Sequence, residues 1–134
     1  MGFLIDTCIW VDVERGILSP ADVETITKQD PVFISPIVLA ELNFGVEMSR
    51  DDSMRIKRFA ALERLRKKPC LNIDPHTGEI FGHLCASLKK AGKDHKYRIQ
   101  DLWLASQAIQ HQYKLVTHNE KDFKDIPGLD LVIL

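Results

Sequence analysis

Five short apolar runs constrain the architecture before any single residue is weighed: residues 2–5 (GFLI), 32–35 (VFIS), 70–73 (CLNI), 114–117 (KLVT) and the C-terminal LVIL. Each is too short for a helix, and the stretches between them have helical character. Strands separated by helices pair in parallel, because a parallel neighbour is reached only through a crossover connection. The chain is therefore expected to be α/β, with a central, mainly parallel five-stranded sheet flanked by helices. Its 134 residues, 45% of them hydrophobic, suit one core, so residues 1–134 read as a single domain.

The helices carry their own punctuation. A short one from Ile9 to about Arg15 is stopped by Gly16, and Ser19–Pro20 and Ser35–Pro36 each join an N-cap to a proline preset for the first turn. Met54, Ile56, Phe59, Leu62 and Leu65 recur near helical spacing ahead of Pro69. Ile80, Leu84 and Leu88 form a stripe in a helix from Pro75 to Ala91, with Gly92 as its stop. A mostly apolar helix runs from Ile99 to about His111.

Composition removes several functional classes. No apolar stretch approaches the roughly 18 to 20 residues needed to cross a bilayer, and no basic segment leads into a long apolar run, so a cytoplasmic protein without a membrane partner is expected. Cys8, Cys70 and Cys85 are an odd set with no Cys-x-x-Cys spacing, which argues against a disulfide framework or structural zinc and for buried free thiols. The net charge of -1 supplies no basic excess for nucleic acid. Basic residues are nevertheless concentrated in 55–68, where Arg64, Arg66, Lys67 and Lys68 read as a solvated face, and in 89–98.

Four acids sit in awkward places. Asp6 follows the first strand directly, at the carboxyl end where open parallel sheets form their sites, although an Asp there can also cap the next helix. Glu41 lies on or at the edge of an apolar helical stripe with Ile37, Val38, Phe44 and Gly45, so it needs a partner or must reach the surface. Asp101 shares a face with Leu104, Ala105 and Ala108, yet also falls in a first helical turn, where the dipole favours it. Asn119 and Asp122 follow the fourth strand and are spaced as a cap and its box partner. Taken together, the four acids can converge on one rim. Converging carboxylates repel unless a hard divalent cation, Mg²⁺ or Mn²⁺, takes their oxygens while keeping several waters, and such a site suits phosphodiester hydrolysis.

"FLIDTCIW" with Asp6 and Thr7, "ISPIVLAEL" with Glu41, "QDLWLAS" with Asp101, and "LVTHNEKDF" with Thr117, Asn119 and Asp122 resemble the four motifs of PIN-domain nucleases, in order and over almost the whole chain. In size the chain is similar to the VapC toxins of bacterial type II toxin-antitoxin pairs. The resemblance implies a PIN-like three-layer fold, Mg²⁺-dependent endoribonuclease activity on RNA, with structured RNA such as tRNA as one target class, inhibition by a cognate antitoxin, and a homodimer. It also implies roles: Asp6, Glu41, Asp101 and Asp122 as metal ligands or water ligands, Thr7 and Thr117 as hydroxyls that orient carboxylates or water, and Asn119 as the residue that holds the loop.

One position departs from the pattern, since many family members carry Asn where this chain has Cys8. Lys93, His95, Lys96 and Arg98 precede Asp101 and can line the mouth for phosphates or remain solvated. A haloacid-dehalogenase-type phosphotransferase would need a second Asp at the place of Cys8. A receiver domain would need an acceptor Asp where "VFIS" ends in Ser35. The remaining alternative is a non-catalytic PIN-like interaction domain, and retention of all four acids favours the enzyme.

Overall fold

The computed structural model describes residues 1–134, apart from the side chain of Tyr97. The elements follow in the order β1 (Phe3–Ile5), α1 (Thr7–Glu14), α2 (Pro20–Thr27), β2 (Val32–Phe33), α3 (Pro36–Glu47), α4 (Asp52–Leu65) and α5 (Pro75–Lys90). A single 3-10 turn (Lys96–Arg98) then leads into α6 (Ile99–His111), β3 (Lys114–Thr117), α7 (Glu120–Phe123) and β4 (Leu131–Ile133). All strand pairs are parallel, in the order β2-β1-β3-β4.

The register explains the three layers. Leu4 pairs with Leu115 and Ile5 with Val116, so successive residues of β1 and β3 face opposite sides of the sheet. Leu4 and Leu115 enter a cluster with Val38, Leu84, Leu88 and Leu102, whereas Phe3, Ile5 and Val116 meet Ile9 of α1 and Val23 of α2. Both faces are covered, as a parallel sheet requires, and each fully buried aliphatic side chain contributes about 1.5–3 kcal/mol.

Helix starts follow the local chemistry. Ser19 and Asp22 form a reciprocal capping box at α2, and Asp74 and Thr77 form one at α5. Ser35 caps α3 by accepting from the Ile37 amide at 3.1 Å. Its hydroxyl also donates to the fully buried Gln107 of α6, whose Nε2 donates to the Leu71 carbonyl at 2.6 Å. This polar knot ties the start of α3 to α6, the two helices that carry Glu41 and Asp101.

Two expectations need correction. The sheet has four strands, not five: "CLNI" contributes a single parallel bridge between Cys70 and Ile34, because the chain leaves the sheet edge at once to cap α5 with Asp74. Nor are the cysteines buried: Cys70 is exposed, and Cys8 and Cys85 are half-buried. Among the described residues, no helix is long and apolar enough to cross a membrane.

Candidate active site

Strand order reverses direction between β1 and β3. From β1 the chain moves by way of α1 and α2 to β2 on one side, while β3 lies on the other. A crevice at such a switch point opens beyond the carboxyl ends of the strands, and both strands end there in polar residues: Asp6 follows Ile5, and Thr117 closes β3.

Asp6 is 5% exposed and fully engaged. Its Oδ1 accepts from the Thr7 amide at 2.8 Å, and its Oδ2 accepts from Thr117 Oγ1 at 2.8 Å and, more weakly, from Cys8 Sγ at 3.5 Å. Thr117 in turn accepts from the Asn119 amide at 3.0 Å. Thr7 Oγ1 donates to Glu41 Oε1 at 2.9 Å, so α1 hands the Asp6 end of the site across to α3. Burial pushes Glu41 above the ordinary carboxylate range; the Thr7 hydrogen bond opposes this, and the nearby Asp6 charge adds to it.

Asp101 completes the acidic wall from the first turn of α6. Its pKa is pushed up to about 7, first by burial, then by the charges of Asp6, Asp122 and Glu41, with Arg98 pulling the other way. One half-buried carboxyl thus senses the other three acids. Glu41 and Asp101 share a cleft of about 380 Å³ with Lys96, Arg98, Ile99 and Gln100.

The expected residues divide into two groups. Asp6, Thr7, Glu41 and Thr117 are joined by direct hydrogen bonds, while Asp101 and Asp122 join them through charge. Asn119 stands at the N-cap of α7, but its side chain makes no capping bond, so the cap-and-box explanation of Asp122 is not realised; the loop is held through the Asn119 amide. Cys8 supplies a weak bond to Asp6, and burial raises its pKa to about 11, which keeps it a thiol donor.

Arg98 and Lys93 contact Asp125, which leaves Lys96 as the lysine bordering the cleft. Asp125 was invisible to sequence reasoning, because its partner Arg98 lies 27 residues away with no local periodicity linking them.

The donor set suits a hard divalent cation: several carboxylate oxygens, at least one desolvated, with hydroxyls that fix their orientation. Among the described residues, no group of three or more His, Cys, Asp or Glu side chains is already arranged to hold a metal ion.

The sequence profile of the PIN domain matches residues 3–129. The chain is 36% identical to Ribonuclease VapC1 of Rickettsia felis, over 98% of this chain and 96% of that protein. It is 29% identical to Ribonuclease VapC of Rickettsia bellii, with the same coverage. Among solved structures it is similar to VapBC2 of Rickettsia felis bound to a DNA fragment from its promoter, with a TM-score of 0.86 and 29% identity over 100% of this chain and 99% of that one. VapBC-1 of nontypeable Haemophilus influenzae gives a TM-score of 0.82 and 26% identity, over 99% and 98%. The chain belongs to the PIN domain family.

Proposed function

We propose that this protein is a Mg²⁺-dependent endoribonuclease, with Mn²⁺ as a substitute ion, and the toxin of a type II toxin-antitoxin pair. The observation that carries the reading is the acid cluster at the switch point: Asp6 held by Thr117, Glu41 held by Thr7, and Asp101 pushed up to about 7 beside them. Repelling carboxylates oppose folding, and a cationic occupant would relieve that repulsion. The relatives named as ribonucleases support RNA as the substrate.

In this mechanism Asp6, Glu41, Asp101 and Asp122 would hold the ion directly or through its waters. Thr117 fixes Asp6 through Oδ2, and Thr7 fixes Glu41 through Oε1, so two ligands are oriented before RNA arrives. When bound there, the ion would supply a water of lowered pKa and would offset charge developing on the phosphate. Lys96, exposed on the rim of the cleft with Glu41 and Asp101, receives a neighbouring phosphate of the RNA backbone. Structured RNA such as tRNA is the substrate class we favour.

A partner is supported by the surroundings of the site. Thr7, Trp10, Glu41, Leu42, Arg58 and Leu62 border a pocket of about 160 Å³ between α1, α3 and α4. The Trp10 indole nitrogen, Nε1, is buried without an acceptor among the described residues. An antitoxin segment that seats an apolar side chain here can reach the acidic mouth with an arginine, whose guanidinium pairs with carboxylates in a fork. Phe44 on α3, Met48 at its C-cap, and Ile56 and Phe59 on α4 are 55%, 66%, 69% and 51% exposed, which supports burial in a homodimer.

The deciding experiment compares RNA cleavage by purified protein in millimolar Mg²⁺ and in EDTA, with Asp101→Asn as control. Cleavage should require both the ion and Asp101. A folded protein inert in Mg²⁺ and Mn²⁺ would instead be an interaction domain. For the partner, an arginine-to-alanine change in the antitoxin should weaken inhibition, and inhibition that survives loss of every partner arginine would exclude charge pairing as the device.

A further inference from the structure

Arg98 is the last residue of the 3-10 turn, directly ahead of α6, and its side chain is 14% exposed. Both terminal nitrogens grip one carboxylate: Nη1 donates to Asp125 Oδ2 at 2.9 Å and Nη2 to Asp125 Oδ1 at 2.6 Å. Nη2 also donates to the backbone carbonyl of Asp122. A guanidinium presents its donors in one rigid plane and can hold a carboxylate and a carbonyl together, which a lysine ammonium on a flexible stem cannot match. Hydrogen bonding to Arg98 holds Asp125 below the ordinary carboxylate range, and bonding to Asp125 raises Arg98 above its usual value.

The placement matters more than the strength. Asp101 lies three residues beyond Arg98, within the first turn of α6. The gripped carbonyl belongs to Asp122 itself, and Asp125 follows the end of α7 closely. One side chain therefore bridges the two segments that carry the last two acids of the cluster, and no other described hydrogen bond between side chains joins them.

We propose that Arg98 is a positioning residue: its fork on Asp125 and its bond to the Asp122 carbonyl set the Asp122 carboxylate relative to Asp101. The assignment rests on these acids being metal ligands, and it gives Arg98 no contact with RNA or with the ion. A purely electrostatic role makes the opposite forecast, since deleting a cation beside an ion site should tighten ion binding.

The test uses RNA-free, full-length protein with Mn²⁺ as the probe. Calorimetric titration should give affinities weakened about tenfold or more in both Arg98→Lys and Arg98→Gln, the usual range for losing a group that orients a ligand. Asp125→Asn should weaken binding similarly, and combining it with Arg98→Gln should add little, because the two residues act as one unit. Arg98→Lys is the discriminating variant, as it keeps the charge and loses the fork.

Amide hydrogen exchange on metal-free protein provides the second readout. The Asp122 and Lys124 amides, which donate to the Asn119 and Glu120 carbonyls, should exchange about tenfold faster in Arg98→Lys and in Asp125→Asn, with α3 unchanged. Unaltered exchange at those amides overturns the proposal whatever the titration gives. Wild-type or tighter Mn²⁺ binding by Arg98→Gln also overturns it. If wild-type protein binds no Mn²⁺, the metal reading fails, and the exchange result alone decides whether Arg98 holds the Asp122 segment. Should Arg98→Gln not fold, Asp125→Asn carries both measurements.

Discussion

Neutralising Asp101 should stabilise the metal-free protein. Asp101 has a folded-state pKa pushed from 3.8 to about 7, chiefly by burial and next by Asp6, Asp122 and Glu41. A shift of that size corresponds to roughly 4 kcal/mol at about 1.4 kcal/mol per unit. Asp101 is only half-buried, so solvent screening reduces the expected effect to about 1–2 kcal/mol. The sign follows from linkage: with the folded pKa above the unfolded one, stability is intact below pH 3.8, falls as pH rises, and reaches its lower plateau above about 7. Asp101→Asn lacks this loss. In EDTA at about pH 8 the variant should melt roughly 3–8 °C above wild type, and the gap should nearly close at about pH 3.5. Scanning calorimetry at both pH values, with and without millimolar Mg²⁺, measures this. Mg²⁺ should raise the wild-type midpoint more than the variant's, because only a protein that binds the ion gains by mass action. A variant that melts at or below wild type at pH 8, with no pH-dependent gap, would show that Asp101 is an ordinary first-turn acid.

The other predictions concern activity and assembly. Asp6→Asn and Asp101→Asn should each lower RNA cleavage by on the order of 10² or more, measured as single-turnover rates in Mg²⁺; a variant that cleaves at the wild-type rate removes its residue from the site. Lys96→Ala should weaken RNA binding and reduce the slope of log affinity against log salt by about one, whereas an unchanged slope leaves Lys96 without a phosphate. Ile56→Asp combined with Phe59→Asp should convert a dimer into a 15.3 kDa monomer by light scattering, and wild-type protein already of that mass at micromolar concentration contradicts the dimer.

The sequence was most informative where one local rule governs. Ser19–Pro20 and Ser35–Pro36 mark helix starts because capping and proline geometry act within one turn, and α2 and α3 begin at those residues. Paired β-strands are less local. "CLNI" has the same apolar look as "KLVT", yet Asn72 and Ile73 are exposed because the Asp74 cap of α5 pulls the chain from the sheet. At the site, Asp6, Glu41 and Asp101 stood out as charges among apolar neighbours. Asn119 and Asp122 matched a capping box by spacing alone, whereas the side-chain geometry does not form one. The Arg98–Asp125 fork had no local signal, since contacts across 27 residues depend on how α6 and α7 pack.

Asp6 shows why a local rule and a functional reading can coincide without competing. It is the N-cap of α1, and its Oδ1 accepts from the Thr7 amide, so the capping account is correct as far as it goes. A cap needs only one oxygen, and a serine would provide it without burying a second polar atom. Asp6 is 5% exposed, and its second oxygen is held by a hydroxyl 111 residues away on the neighbouring strand. Capping explains Oδ1 and leaves the burial of Oδ2 unexplained. What Oδ2 gains from Thr117 is a fixed direction at the mouth shared with Glu41 and Asp101, and a carboxylate aimed in this way is what an ion site requires and a helix start does not.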